Sequence, residues 1–377
     1  MAKRERKNND IATRLVILRK QFERKDIHDW QLAINQTLAL TPKWIKLQEL
    51  YESLMFDAHL QSQISLRKNK TLGLPWRLLQ GEKEIDAQDF DKTVKSLIEQ
   101  SLDSLFFGYS MVLLDTADGS LTPIDRRNID PKNHLLYADP LLGSALSYRE
   151  LPEYGKTLLE FNHEDNGLLV QAAPHVLFKR FAQSCWSELC EIYGMPPRYI
   201  KTNTNDKELV QKYEQALANI GSGASYVLDL DDEMGFASTN ATNGEVYANL
   251  INLCKSEISL LICGAMVGQD TAYGSNAKEQ SSQELLQDII DADKEYVTNH
   301  INAVVLPALE ALGLPTNCTF EFIQQEDNSE LFAQTIQAAA YFDIDPEWFK
   351  EKFGIEVTAA KQAGFGLRNS KEIDFFG

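Results

Sequence analysis

The chain has 377 residues, of which 44% are hydrophobic and 10% aromatic. This composition predicts a globular protein with two or three packed units and excludes an intrinsically disordered chain. The net charge is −18, yet residues 1 to 25 hold nine Lys or Arg against three Asp or Glu. The acidic remainder disfavours tight, sequence-reading DNA binding but permits a channel through which DNA slides. The basic arm is either a solvated tail or a contact for nucleic acid or an acidic partner.

The cysteines show neither a CxxC pair nor a histidine spacing suited to zinc, which predicts reduced thiols in a cytosol. They are Cys185, Cys190, Cys254, Cys263 and Cys318. The first ten residues are charged and no apolar stretch follows them, so we expect no secretory signal. The most apolar run, residues 260–268, is far shorter than the roughly 20 residues of a membrane span. We therefore expect no contact with a membrane.

The first 173 residues predict an α+β unit. Thr41 followed by Pro42 predicts a helix start. Apolar side chains then recur at helical spacing in Leu47, Leu50, Tyr51, Leu54 and Ala58. Residues 74–79 predict a short strand. A second helix carries Val94, Leu97, Ile98, Leu102, Leu105 and Phe106 on one face. Gly108 ends that helix, and a buried strand, then short strands and turns over residues 117–173, follow it.

The middle of the chain predicts a helix and a small strand–helix–strand module. From Pro174 the helix carries the stripe Phe178, Phe181, Ala182, Cys185, Leu189 and Ile192. Gly194 closes it, and Pro196 and Pro197 prevent its continuation. Residues 198–202 and 225–230 predict the two strands of the module. The helix between them begins at the capping box Asn205/Glu208 and ends at Gly221.

Two long amphipathic helices are predicted next, separated by the polar stretch GQDTAYGSNAKEQSS at residues 268–282. The first carries Tyr247, Leu250, Ile251, Cys254, Ile258, Leu261, Ile262 and Ala265 on one face, and Glu245, Asn249, Asn252, Ser256 and Ser259 on the other. The second is capped by Ser281 and Glu284 and runs to about residue 312, with a kink at Pro307. A strand with Cys318, Phe320 and Phe322 on one side, two short helices and a polar tail complete the chain.

None of the candidate sites predicts catalysis. Gly268 and Gly274 have five residues between them and follow a helix, so the stretch does not fit a P-loop. Residues 229–235 place acids as in a calcium loop, but Gly235 and Asn240 depart from its pattern, and a solvated hairpin end is favoured over a metal site. The histidines are far apart, and no GxSxG serine is present.

The polar stretch therefore fits either an ordinary connector or a DNA-facing loop. It holds one cation, Lys278, and the hydrogen-bonding side chains Gln269, Asn276 and Gln280. Several copies around a lumen would touch a polyanion weakly and without base preference. A sliding substrate requires this, because every strong phosphate contact would have to be broken at each step.

Four stretches, in order, resemble one family: the portal proteins of tailed phages, most closely the Mu-like group. The first is a helix with Asp57, Leu60 and Arg67, followed by the Pro75-Trp76 strand. The second is the helix, glycine and strand of residues 101–116. The third matches "W…E.YG.P…K" in Trp186, Glu191, Tyr193, Gly194, Pro196 and Lys201. The fourth matches "EIS…LGQT…GS.A" with Gln269, Thr271, Gly274, Ser275 and Ala277 in register. The chain is short for this group, and its C-terminal part is small.

The resemblance implies an α+β, portal-type fold with a wing, a two-helix stem, a small α/β clip, a long kinked wing helix and a reduced helical crown. In chain order these are a basic N-terminal arm (1–40), the wing (41–174), a stem helix (175–194), the clip (195–237), a second stem helix (244–266), the tunnel loop (267–282), the long wing helix (283–312), and the crown with the C-terminal tail (313–377).

The resemblance also implies a function without catalysis or cofactors: a ring, usually of twelve copies, at one capsid vertex. Its channel would serve DNA packaging and ejection. The implied partners are double-stranded DNA, contacted non-specifically, the large terminase subunit, the major capsid or scaffold protein, and a head–tail adaptor. The implied location is the virion vertex, with the host cytoplasm during assembly.

Two sets of site residues are implied by the same resemblance. The tunnel-loop set is Gln269, Thr271, Tyr273, Gly274, Ser275, Asn276, Lys278 and Gln280. The terminase-docking set in the clip is Tyr199, Lys201, Asp229, Asp231, Asp232 and Glu233. Two other functions stay open from the sequence. One is a metal-dependent nucleic-acid-processing enzyme with Asp229, Asp231 and Asp232 as ligands, and the other is a monomeric virion adaptor.

Overall fold

A computed structural model describes residues 25–162, 166–194, 198–201, 207–218, 233–236, 244–266, 276–310, 313–323, 329–339, 342 and 344–355. Its helices are α1 (Ile27–Thr37), α2 (Ile45–Leu54), α3 (Ala58–Leu72), α4 (Asp91–Phe107), α5 (Leu169–Gly194), α6 (Lys207–Ala218), α7 (Glu245–Cys263), α8 (Asn276–His300), α9 (Leu306–Leu309), α10 (Ser329–Ala338) and α11 (Pro346–Phe353). Its strands are β1 (Trp76–Gln80), β2 (Lys83–Ile85), β3 (Tyr109–Leu114), β4 (Leu121–Pro123), β5 (Ile129–Asp130), β6 (Leu135–Asp139), β7 (Ser144–Ser147), β8 (Leu158–Asn162), β9 (Arg198–Lys201), β10 (Glu233–Phe236) and β11 (Cys318–Phe322).

The described strands form small antiparallel sheets. Three of these sheets have the orders β11-β1-β2, β4-β3-β8 and β5-β6-β7, and the fourth pairs β9 with β10. In the first sheet Leu78 of β1 lies opposite Phe320 of β11, which the chain reaches only after several intervening helices. This pairing joins an early strand of the larger unit to its last strand.

Strand β3 separates two hydrophobic cores. Tyr109, Met111 and Leu113 pack into one core with α2, α3, α5 and α7, whereas Val112 and Leu114 pack into the other with α4, β1 and β11. Successive side chains of a strand point to opposite faces, so both faces of β3 are covered. This explains why its sequence is a continuous apolar run rather than an alternating one.

The N-terminal helices differ from their prediction at three places. The helix predicted to run through Ala58 is interrupted, because the Asp57 side chain accepts hydrogen bonds from the backbone of His59 and Leu60 and so starts a new helix, α3. Thr41 is not a helix cap, since α2 begins after Trp44. Residues 27–37, assigned to the basic arm, form α1, which Asp26 caps.

Helix α5 begins at Leu169, several residues before its predicted start, and contains Pro174. Proline has no N–H with which to bond the carbonyl four residues earlier, that of Val170. The indole N–H of Trp30 donates to that carbonyl oxygen instead, at 3.0 Å. A contact from α1 therefore compensates for the proline inside the helix.

The long C-terminal helix also starts earlier than predicted. Helix α8 begins at Asn276, so Ser281 lies inside it rather than at its cap. It continues into a π-helical segment, Ile301–Val305, just before Pro307. The wider turn accommodates the proline, whose ring would clash with the preceding turn of a regular helix. The Asn302 side chain also bonds both backbone groups of Phe320 and fixes β11 there.

The small module and the C-terminal piece require two corrections. Strand β9 pairs antiparallel with β10, which includes part of the predicted hairpin end, whereas the predicted strand at 225–230 lies outside the described residues. Strand β11 pairs with β1 and belongs to the first compact unit, Met1–Phe322. The second unit, Ile323–Gly377, is therefore shorter than the predicted crown. Within it, Phe332 of α10 contacts Phe349 and Phe353 of α11.

Candidate functional site

Helix α7 is apolar on two separate faces. The face buried by the chain itself carries Ile251, Cys254, Ile258 and Ile262. A second stripe is exposed and carries Val246, Leu250, Leu253 and Leu260, with exposed fractions from 36% to 61%. These four positions share one helical face because their spacings are 4, 3 and 7 residues. The fold of a single chain leaves this second stripe largely uncovered.

The neighbouring helix α5 also carries both buried and exposed apolar side chains. It runs antiparallel to α7, with Trp186 beside Gly244 at one end of the pair. Its buried side chains near the other end are Ala172, Ala173, Val176 and Leu177. Phe178 and Phe181 of the predicted stripe are instead 46% and 59% exposed. The predicted stripe is therefore only partly buried, since Ala182 packs into the chain's own core but the two phenylalanines do not.

By length and composition, α7 is also apolar enough to cross a membrane, with a mean hydropathy of 1.2 over 18 residues. One such helix is weak grounds for a membrane segment. Here the apolar character has a local explanation, because one face packs against α3 and α5 within the first core.

Helix α3 contacts both α5 and α7 through polar side chains that are buried or partly buried. The Asp57 carboxylate, which caps α3, also accepts a hydrogen bond from Lys179 of α5 at 2.6 Å. Both side chains of this ion pair are at most 5% exposed. Its one sign in the sequence is weak: Lys179 lies beside the buried positions Val176 and Leu177.

His59 makes a second contact of this kind. Its Nε2 lies 3.0 Å from the backbone oxygen of Lys255 and 2.9 Å from Oγ of Ser259, both on α7. Burial lowers the pKa of His59, opposed by the Lys255 backbone contact. Ser259, predicted on the solvent face of its helix, is buried because it meets this histidine.

The tunnel-loop set divides between two parts of the chain. Gln269, Thr271, Tyr273, Gly274 and Ser275 lie outside the described residues. Asn276, Lys278 and Gln280 lie in the first turns of α8, so the predicted loop 267–282 is helical from residue 276 onward. The early start has a local reason, since Asn276 to Gln283 contain no glycine or proline to stop the helix.

The exposed face of α8 carries a row of acids. Glu284, Asp288, Asp291 and Glu295 recur every three or four residues and therefore lie on one helical face. Lys294 bonds Asp291. A row of carboxylates gives the helix that follows residue 275 a negative surface, which would repel phosphate.

The terminase-docking set is described only in part. Lys201 of β9 lies opposite Glu233 of β10, and Tyr199 lies opposite Gly235. The paired strands therefore place three of the predicted residues on one two-stranded ribbon. Asp229, Asp231 and Asp232 lie outside the described residues. Within the described part of the chain, no cluster of His, Cys, Asp or Glu could hold a metal ion.

One contact between α3 and α8 has no sign in the local sequence pattern. Arg67 of α3 and Asp293 of α8 form a buried ion pair, with side chains 10% and 3% exposed. Arg67 stood among the residues that carried the family resemblance, but nothing in its local pattern identified Asp293 as its partner.

Comparison with known proteins gives one consistent result. The family model for the portal protein of Mu bacteriophage matches residues 48–355. The portal protein of Escherichia phage Mu is 23% identical in an alignment of length 348 that covers 83% of this chain and 67% of that protein. Among solved structures, a chain in the neck of an empty gene transfer agent particle, computed with C6 symmetry, has a TM-score of 0.55 at 14% identity, covering 82% of this chain and 94% of that one. A chain in the neck of the native particle, computed with C12 symmetry, has a TM-score of 0.51 at 11% identity, with the same coverage. The two structures share the fold of this chain.

Proposed function

The chain belongs to the family of Mu bacteriophage portal proteins, and from this premise we propose that twelve copies close into a ring that forms the DNA channel at one capsid vertex. Portal proteins are structural components of the virion and are not enzymes. The metal-dependent enzyme considered from the sequence, with Asp229, Asp231 and Asp232 as ligands, is therefore set aside.

The observation that carries the ring is the second apolar stripe on α7, together with exposed Phe178 and Phe181 on α5. Burying apolar surface contributes about 25 cal/mol per Å², so a fully covered Leu or Phe contributes roughly 1.5 to 3 kcal/mol. A single chain leaves these side chains in water. A neighbour seated on this face recovers the energy, and a head-to-tail contact that repeats by rotation closes a ring. The C6 and C12 symmetries of the similar neck chains support this geometry.

The charge of the chain supports a channel that DNA crosses without sticking. Twelve copies at −18 carry 12 × 18 = 216 negative charges. The acidic row on α8 lies on the helix that follows the segment 267–275. We propose that this segment and the first turns of α8, with Lys278 as the cation, face the DNA. A single cation per copy makes only weak contacts with the phosphates, so DNA can move through the channel. Many cations per copy would bind the DNA tightly and prevent its movement.

The remaining partners follow from the same proposal. The ribbon of β9 and β10, with Tyr199, Lys201 and Glu233, is the docking surface for the large terminase subunit and later for a head–tail adaptor. The outer parts of the ring meet the major capsid or scaffold protein. The ring assembles in the host cytoplasm and remains at the portal vertex of the virion.

The decisive experiment measures the assembly state of the purified full chain. Native mass spectrometry and negative-stain microscopy should show a closed multiple of 42.7 kDa and rings with a central hole. A stable single copy at micromolar concentration would support the monomeric adaptor and refute the ring.

Channel function is tested separately with Lys278→Glu. This variant should assemble into rings as the wild type does but package DNA with altered efficiency. Loss of assembly would contradict a channel-facing position for Lys278. Deleting residues 195–237 should spare the fold of the wing and abolish terminase binding, and retained binding would refute the docking assignment.

A further inference from the structure

The helices before and after the segment 267–275 are both held by one side chain. Arg67 of α3 donates from Nη1 to the backbone oxygen of Ile262 at 2.8 Å. The same guanidinium donates from Nε and Nη2 to the two carboxylate oxygens of Asp293, at 2.7 and 2.6 Å. Its carbon also lies 5.7 Å from the ring centre of Phe106. Arg67 therefore touches the end of α7 and the middle of α8 together.

The contact with Ile262 satisfies a group that the helix leaves open. The last carbonyls of an α-helix have no partner within it. At the end of α7, the N–H of Gly264 donates to the carbonyl oxygen of Leu260, and the guanidinium of Arg67 donates to the carbonyl oxygen of Ile262. Arg67 thus caps the helix that leads into the segment, and a cation at a helix C-terminus is also favoured by the helix dipole.

The contact with Asp293 fixes the helix that leaves the segment. A fork-shaped guanidinium bound by both carboxylate oxygens permits little rotation. A second close approach supports the crossing: a side chain at Gly264 would meet Ile289 of α8 at 2.6 Å. Helix α8 begins 13 residues before Ile289, which at 1.5 Å per residue is about 20 Å of helix. Any rotation at the crossing is therefore magnified at Asn276.

We propose that Arg67 is a positioning residue that holds the last turn of α7 and the crossing point of α8 at a fixed separation and angle. The proposal rests on the proposed function in one respect, since it assumes that the segment meets moving DNA. A pull on the segment would otherwise separate the two helices. Through Arg67 the pull passes into α3, which Asp57 and His59 connect to α5 and α7.

A purely structural role is the competing explanation, and the two differ in the effect of removing both charges. Arg67→Met alone leaves Asp293 buried without a partner and should destabilise the fold strongly. Arg67→Met with Asp293→Leu leaves no buried charge, and such replacements are often neutral for stability. The double variant nevertheless lacks the cap on Ile262 and the bridge between the helices. Stability should recover in it, whereas positioning should not.

The experiment measures the distance between spin labels at Met266→Cys and Glu284→Cys, both exposed positions. Cys185, Cys190 and Cys318 are replaced by Ser, and labelled chains are diluted into unlabelled protein so that each particle holds one pair. The control is Arg77→Met, which removes the half-exposed pair of Arg77 and Glu321. Each sample also has its thermal unfolding midpoint measured.

The expected result is a narrow distance distribution in the wild type and in Arg77→Met, and a clearly broadened one in both variants that lack Arg67. The double variant should melt close to the wild type while keeping the broad distribution. A narrow distribution in the double variant would overturn the proposal and leave a stabilising ion pair only. If Arg67→Met does not fold, the distance distribution of the double variant alone tests the proposal. The readout does not require a ring or DNA, so its failure is distinct from failure of the proposed function.

Discussion

Asp57 and Lys179 lie 122 positions apart in the sequence, yet their charged groups are 2.6 Å apart in the interior of the first unit. Asp57 also caps α3, so one carboxylate both starts a helix and ties it to α5. A buried charge without its partner is costly, whereas removing both charges together often costs little. This asymmetry gives the first prediction.

Lys179→Met should lower the free energy of unfolding by about 3 to 5 kcal/mol, because it leaves the Asp57 carboxylate buried and unpaired. Adding Asp57→Asn should recover most of the loss, since asparagine caps a helix as well as aspartate does. Urea unfolding followed by tryptophan fluorescence measures both. Arg77→Met, at a pair with side chains 40% exposed, should cost less than about 1 kcal/mol. Equal losses in the single and double variants would contradict this account of the pair.

Leu253→Glu should prevent ring assembly while the single chain stays folded. Leu253 is 57% exposed on the second stripe of α7, so a carboxylate there costs the isolated chain little. At an interface it forfeits about half of the roughly 1.5 to 3 kcal/mol of a fully buried leucine and also places a charge in an apolar contact, so association should weaken by roughly tenfold or more. Sedimentation velocity gives the assembly state and circular dichroism the fold. Asn252→Glu, at the adjacent exposed polar position, is the control and should assemble normally. Rings formed by Leu253→Glu would show that the stripe is not the contact face.

Gly167→Ala should be among the most destabilising substitutions in the chain. Gly167 has a φ of +80°, and an added Cβ would lie 2.3 Å from the backbone oxygen of Phe106. No side chain can move to relieve a clash with backbone, so we expect a loss above about 4 kcal/mol, or insoluble protein. Gly143→Ala, with a φ of +74° and nothing within 4 Å, should cost only the roughly 1 to 2 kcal/mol of a left-handed alanine. Comparable effects at the two glycines, measured by thermal unfolding, would refute the close approach.

The chain should lose stability in mild acid partly through His59. Burial and the cations Lys179 and Lys255 lower its pKa below the ordinary value of 6.5, while the Lys255 carbonyl and Asp57 oppose the shift. Below about pH 6.5 the unfolded chain therefore binds a proton at His59 more readily than the folded chain does. The free energy of unfolding consequently decreases as the pH is lowered below this value. His59→Gln should reduce the difference between urea midpoints at about pH 7.5 and about pH 5.5. An unaltered difference in His59→Gln would assign the acid sensitivity to other groups.

The amphipathic periods were sufficient to predict most elements. The helix that ends at Gly108, the buried strand β3 and the helix α7 follow from local spacing and from glycine at a helix end. The family resemblance rested on the same kind of local pattern, and the match to the Mu portal family confirmed it. The errors are at element boundaries, and at one of them a distant group replaces a local one. Trp30 allows α5 to continue through Pro174, and no spacing within α5 indicates this.

Local periodicity is enough to predict helices with more apolar surface than a single small core requires, joined by a polar stretch. Which apolar face is buried depends on the packing: Ile258 points into the first core, and Leu253 does not. The packing also decided that β11 returns to β1 and that Arg67 meets Asp293. The two kinds of feature depend on interactions that act over different distances along the sequence. Helical and strand periods depend on neighbours a few residues away, whereas burial and ion pairing depend on packing between segments that the chain brings together only when it folds.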